Sequence, residues 1–175
     1  MRKNIFTILL TPIFFFTFAG QIFAYQIQDL PDVEIKRDIV LGPTKIELFM
    51  DPGEKVTREL MITNRTGKTV NFGIGIEDIK GSNDPDQPIV FLGQEKGPYS
   101  LKDWLQSEVQ EFILKSGQRI ILPIEVSIPA DVDPGGHYGV IFTIIKPNVS
   151  ATTTENTGQV SIISRAGALF FVRVN

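Results

Sequence analysis

The sequence of 175 residues contains no cysteine and a single histidine, His137. Without cysteine there is no disulfide scaffold, thiolate nucleophile or iron–sulfur cluster, and one histidine cannot build a three-histidine metal centre. Basic residues are not in excess either, because 17 basic and 20 acidic side chains give a net charge of -3. We therefore expect no metal, no cofactor and no nucleic-acid partner. A binding or structural module remains, or an enzyme that relies on carboxylates and hydroxyls.

The first 24 residues have the three parts of a secretory signal peptide: basic Arg2 and Lys3, an apolar run from Ile5 to Phe18, and small Ala24 at the expected cleavage site. An uncleaved N-terminal anchor is the alternative, because the apolar segment counted on to Ala24 is long enough to cross a bilayer. Either way we expect an exported protein of the cell envelope or the extracellular space. With no cysteine, it does not depend on oxidation to fold.

After a lead-in over residues 25–37, the apolar residues of 38–175 recur with a period close to two, as in half-buried β-strands. The clearest run is Arg119–Pro129, in which Pro123 indicates an edge strand or a bulge because it cannot donate to a ladder. Strands are predicted at Ile39–Leu41, Lys45–Phe49, Val56–Asn64, Val70–Glu77, Pro88–Leu92, Val109–Leu114, Arg119–Pro129, Tyr138–Ile145 and Gln159–Val174.

Turn sequences separate these runs. Pro52-Gly53 and Pro134-Gly135 each suit a type II turn, because proline fixes φ at the first central position and glycine accepts a positive φ at the second. Gly136, which follows, would let another backbone pass close. One short helical turn is predicted at Ser100–Gln106. The fold class is therefore all-β: an antiparallel, immunoglobulin-like β-sandwich of seven to nine strands with one short helical turn.

Three residues are candidates for binding. Tyr99 and Trp104 flank the predicted helical turn, where aromatic side chains can stack on sugars, anchor a protein partner, or plug the open end of a sandwich. His137 follows Gly136 at the start of a strand. It is either a catalytic base or a structural residue that needs only one hydrogen bond.

Acidic side chains are the remaining candidates for chemistry. Glu108, Glu111, Asp131 and Asp133 lie in turns or at polar strand ends, where solvated residues are common. A glycan hydrolase would need two of them held about 5 to 9.5 Å apart across a cleft. We expect no catalytic residues and treat the hydrolase as a remote alternative.

The order of several motifs resembles the immunoglobulin-like domain of bacterial cell-surface WxL-interacting proteins. The resemblance covers about Asp38 to Val174. The motifs that carry it are Phe49–Glu54, Leu60–Asn64, Gly67-Lys68, the lone Trp104, Leu114–Gln118 and, as the most specific part, Ile128–Gly139.

The resemblance implies an exported domain that binds peptidoglycan. Such proteins are typically held by a C-terminal transmembrane helix, often after a second sandwich domain. We therefore expect this chain to be the N-terminal part of a longer protein that contacts the membrane only through a missing C-terminal anchor or an uncleaved N-terminal segment. The resemblance assigns no peptidoglycan-contacting residue.

The sequence predicts a non-catalytic cell-envelope module that binds peptidoglycan or a partner surface protein. Binding would use loops at one end of the sandwich or an edge strand that accepts another strand. The alternative is a periplasmic chaperone-like assembly factor that acts by strand addition.

Overall fold

The computed structural model describes residues 24–146 and 164–175, and nearly all the regular structure there is β-strand. The predicted signal peptide, apart from Ala24, and the start of the predicted strand Gln159–Val174 lie outside these residues. The elements are β1 (Gln26–Asp29), β2 (Ile39–Gly42), β3 (Lys45–Met50), β4 (Lys55–Asn64), β5 (Val70–Gly81), β6 (Ile89–Phe91), a 3₁₀ turn (Lys102–Trp104), β7 (Leu105–Ser107), β8 (Glu111–Leu114), β9 (Gln118–Ser127), β10 (Gly135–Lys146) and β11 (Arg165–Val174).

The strands form two sheets. One has the order β1-β9-β4-β2, with β7 also paired to β9. The other has the order β3-β11-β10-β5-β6, with β8 also paired to β5. The chain changes sheets between β2 and β3, around Pro43. This arrangement confirms the predicted all-β, immunoglobulin-like sandwich.

The core lies between the sheets and is built from alternate positions of the long strands. In β9 the residues Ile120, Leu122, Ile124 and Val126 are all fully buried, as the two-residue period predicts. Their neighbours are only partly buried. Phe72 and Phe112 stack within the core, with ring centroids 5.4 Å apart.

Two details of the predicted sandwich need correction. The described residues hold eleven strands rather than seven to nine, because β1 and β7 are too short to show a period of two; β6 corresponds to the predicted strand Pro88–Leu92. The sheets are also not wholly antiparallel, since β3 and β11 run parallel. Pro123 lies on β9 between the residues that pair with β1 and those that pair with β7, so its missing N–H falls in a gap of the ladder.

The predicted lead-in, residues 25–37, contributes a strand to the sandwich. All four residues of β1 are exposed, so no apolar pattern marks them, yet β1 pairs with β9. The segment that follows is held by Arg65, which donates two hydrogen bonds to the Asp38 carboxylate, the Nε contact at 2.7 Å.

Of the two type II turns predicted, one is confirmed and the other is wrong. Gly53 has a φ of 81°, and Glu54 N–H donates to Asp51 O at 3.0 Å, which confirms the type II turn at Pro52-Gly53. The same prediction for Pro134-Gly135 is wrong, because Gly135 has no positive φ and already begins β10. The predicted helical turn at Ser100–Gln106 is shorter than expected, because Leu105 turns to extended backbone and starts β7.

Within the described residues, no helix is long and apolar enough to span a bilayer.

One buried hydroxyl in the core lacks a hydrogen-bond partner among the described residues. Thr143, at the centre of β10, is buried and its hydroxyl has no hydrogen-bond partner among the described residues. Thr143→Val keeps the side-chain shape and removes the unsatisfied group, so we expect it to raise the free energy of unfolding by about 1 kcal/mol in urea titrations.

Thr63→Val is the matched control. The buried Thr63 hydroxyl accepts a hydrogen bond from Arg119 Nε at 2.9 Å, so this variant should lose about 1 kcal/mol. A loss of stability in Thr143→Val would contradict the assignment.

Candidate binding site at the β3 edge

Strand β3 lies at the edge of the six-stranded sheet. In the part of the chain that the structure describes, it pairs with β11 only, in the parallel register that places Phe171 beside Glu47 and Arg173 beside Phe49. We call the opposite, unpaired side of residues 45–50 the β3 edge.

The backbone groups of β3 divide between its two sides. Thr44 O accepts a hydrogen bond from Leu169 N–H, and Met50 O accepts one from Asn175 N–H, so the even-numbered residues point their backbone groups at β11. Successive backbone groups of a strand alternate in direction. The N–H and C=O groups of Lys45, Glu47 and Phe49 therefore point out along the β3 edge.

The side chains of β3 alternate in the same way. Ile46, Leu48 and Met50 are buried in the core, whereas Lys45, Glu47 and Phe49 lie on the outer face of the sheet. Lys45 Nζ lies 2.5 Å from Glu47 Oε1 and 5.2 Å from the centroid of the Phe171 ring. Phe49 is 72% exposed.

A groove of about 440 Å³ lies on the outer face of the sheet, over β3, β11 and the start of β10. Its lining combines aromatic rings with one cation and one carboxylate. The lining residues are Glu47, Leu48, Phe49, Gly135, Gly136, Tyr138, Phe171, Val172 and Arg173.

The floor of the groove is a row of aromatic side chains. Tyr138 meets Phe171 edge to face at 5.6 Å and Tyr99 at 6.1 Å, so the row runs from the loop before the 3₁₀ turn towards β3. Gly136 makes room for it. A Cβ at Gly136 would clash with the Tyr138 hydroxyl oxygen. The predicted close approach at Gly136 is therefore made by a side chain rather than by backbone.

The same outer face carries a second apolar cluster, in which Ile79, Val140 and Phe142 are buried. Phe142 and Val140 pack against Gly167, where a Cβ would approach both side chains to 2.9 Å. The Arg165 guanidinium carbon lies 4.1 Å from the centroid of the Phe142 ring, and the guanidinium donates a hydrogen bond to the Glu77 carboxylate. This face is therefore much less polar than the outer face of a solvated sheet.

The structure brings Trp104 and His137 together, with ring centroids 4.3 Å apart, whereas the Tyr99 ring contacts Tyr138 instead. Trp104 packs against the core cluster, as a plug at the end of the sandwich would. His137 Nδ1 lies 3.1 Å from Ser100 O, and since a carbonyl can only accept, this nitrogen carries the proton. Tyr99 is 57% exposed and is the most exposed of the three, since Trp104 and His137 are half-buried.

Asp78, on β5, was not among the predicted residues, yet it holds this region in place. Its carboxylate is fully buried and accepts hydrogen bonds from Ser100 Oγ at 2.6 Å and from the N–H groups of Leu101 and Lys102 at 2.8 Å. These bonds seat Leu101 in the core and align Tyr99 with Tyr138. The only available signal was an acid after an apolar alternation, which is too common to be informative.

The acidic side chains considered for a hydrolase do not form a buried pair. Glu108, Glu111, Asp131 and Asp133 are all exposed, and Glu111 forms an ion pair with Lys146. Among residues 24–146 and 164–175, no three metal-ligating side chains lie close enough to hold an ion.

Two surface ion pairs, both outside the groove, shift pKa values of their own side chains. Hydrogen bonds from Arg65 lower the pKa of the Asp38 carboxyl, and the same contact raises the pKa of Arg65. The hydrogen bond to Asp103 raises the pKa of Lys96. None of these residues lines the groove.

Replacing Asp78 tests its role. Asp78→Ala leaves the buried N–H of Leu101 and the half-buried N–H of Lys102 without an acceptor and should cost about 3 kcal/mol of stability, whereas Asp78→Asn keeps one acceptor oxygen and should cost about 1 kcal/mol. Trp104 is the only tryptophan, so its fluorescence reports the loop directly. Equal stability loss in the two variants, with unchanged emission, would contradict this role.

No family model matches the chain, and no curated protein matches it. Solved structures with a similar fold were found. A PapD-like domain of human CEP192 aligns with a TM-score of 0.51 at 11% identity, over 78% of this chain and 84% of that one. The class 5 fimbrial chaperone CfaA aligns with a TM-score of 0.50 at 12% identity, over 77% of this chain and 55% of its own length.

A family 123 glycoside hydrolase from Clostridium perfringens aligns with a TM-score of 0.50 at 9% identity, over 79% of this chain but 27% of the enzyme. The chain thus spans about half of the fimbrial chaperone and about a quarter of the hydrolase. At such identities the similarity concerns the fold alone, and the chain has the fold of PapD-like, immunoglobulin-like β-sandwiches.

Proposed function

We propose that this protein is an exported, non-catalytic module that binds a partner protein by accepting a strand at the β3 edge. The observation that carries the proposal is the set of outward N–H and C=O groups of Lys45, Glu47 and Phe49, on the strand that also forms one wall of the aromatic groove. Main-chain hydrogen bonds supply affinity in strand addition, and pockets for alternate side chains supply specificity.

The side chains around the edge define the partner's chemistry. A strand added beside β3 would place every second side chain on the outer face, next to Lys45, Glu47 and Phe49, while Phe171 lies on the other side of β3, on β11. Burying an exposed Phe49 favours apolar residues at those positions. The partner segment is therefore an extended stretch that alternates apolar and polar residues.

The similarity to a fimbrial chaperone supports the chaperone-like alternative over the cell-wall one. A chaperone or assembly factor needs an open edge, and this fold has one at β3. Since the chain spans 55% of that chaperone, an assembly role for a whole protein belongs to the proposal.

The resemblance to WxL-interacting proteins motivates a second form of the proposal, in which the same edge acts at a cell surface. In this form of the proposal the partner is a surface protein, and peptidoglycan binding stays a prediction. Retention of the protein on purified, insoluble cell wall, above that of an unrelated sandwich domain, is the measurement for the glycan version.

Glu47→Pro tests strand addition. Proline removes the outward N–H and puts its ring in the path of an added strand, while the bonds of the even-numbered residues to β11 stay intact. On an array of nine-residue peptides that alternate apolar and polar residues, we expect binding to fall about tenfold or more.

Glu47→Ala is the matched control, because it removes the same carboxylate and keeps the N–H. It should bind the array within about threefold of the unchanged protein. Phe49→Ala is a second route to the same answer, since it spares the backbone and should weaken binding by removing the apolar contact. Circular dichroism verifies folding. Peptides that bind the Glu47→Pro variant as tightly as the unchanged protein would overturn the proposal.

A further inference from the structure

An open edge with an exposed phenylalanine is a hazard for a free protein. Unpaired N–H and C=O groups template pairing with any extended chain, and proteins generally cover or charge such edges. The β3 edge is charged at Lys45 and Glu47, but Phe49 beside them is 72% exposed. The edge is thus only partly protected by its own side chains.

The charges on the edge are self-complementary. Lys45 and Glu47 are two residues apart on the same face, so two copies of β3 running antiparallel can set each lysine opposite a glutamate. We propose that β3 also pairs with β3 of a second copy of this chain, with Lys45 opposite the second copy's Glu47 and a two-fold axis at Ile46.

Backbone direction permits this register. Residues that exchange both hydrogen bonds in an antiparallel pair must point their backbone groups at each other, and Lys45 and Glu47 both point outward. The pairing closes upon itself because a two-fold interface uses the same patch on both copies. Placing the axis at Glu47 instead would oppose two glutamates directly, which is unfavourable.

The overlap of the two strands in this register is short. Because β3 begins at Lys45, only residues 45–47 of each copy lie opposite one another, and Phe49 extends past the end of the second copy's strand.

A joint of two short strands buries little surface, so the dimer should be weak, with a dissociation constant on the order of micromolar. It would close the edge at high concentration and yield it to a better-matched partner strand. This inference shares the edge with the proposed function but names a different occupant, so either can fail without the other.

Charge reversal tests the register. Lys45→Glu and Glu47→Lys each replace two attractive contacts with two repulsive ones, and each should weaken self-association about tenfold or more. Self-association is measured by sedimentation velocity across a concentration series of the chain without the predicted signal peptide. The double variant K45E/E47K restores complementarity and should dimerise like the unchanged protein. An equimolar mixture of the two single variants should also form dimers, because glutamates of one copy then face lysines of the other.

Three results would overturn the inference: an unchanged protein that stays monomeric across the series, single variants that dimerise like it, or a mixture of single variants that stays monomeric. Both single variants keep every outward N–H group. Binding to the peptide array therefore tests the proposed function separately. If the protein binds the array but forms no dimers, the second copy is refuted as the occupant and strand addition by a partner is not. The circular dichroism of each variant verifies that the exposed substitutions leave the fold intact.

Discussion

The alternation of backbone groups along β3 is the constraint on which the binding surface depends. A strand that buries Ile46, Leu48 and Met50 and bonds β11 through its even-numbered residues must turn the groups of Lys45, Glu47 and Phe49 outward. The requirement that builds the core therefore also builds the open edge. Satisfying those outward groups without water needs another strand, from a partner or from a second copy.

A buried carboxylate shapes the other end of the surface. The Asp78 carboxylate accepts three hydrogen bonds from residues 100–102, and these hold Leu101 in the core and Tyr99 against Tyr138. Because Tyr138 also meets Phe171, the closed end of the sandwich and the groove beside β3 share one row of rings. A change in the loop before the 3₁₀ turn should thus be felt at the floor of the groove.

The long strands were predictable because their apolar residues recur every second position, as in β9, and the turn at Pro52-Gly53 followed from proline and glycine chemistry. The pairing partners of the strands were not predictable, because the parallel contact of β3 with β11 joins segments more than a hundred residues apart. Tyr99, Trp104 and His137 were chosen by residue type, and the contacts of Trp104 with His137 and of Tyr99 with Tyr138 follow from the loop that Asp78 holds, which no local pattern marks. The β1 strand was missed because it buries no side chain.

Amide hydrogen exchange along β3, measured by NMR at a protein concentration low enough to keep the chain monomeric, tests the central claim most directly. The amides of Ile46, Leu48 and Met50 face β11 and should exchange slowly, while those of Lys45, Glu47 and Phe49 should exchange about a hundredfold faster or more. Equal protection of all six amides would contradict an open β3 edge.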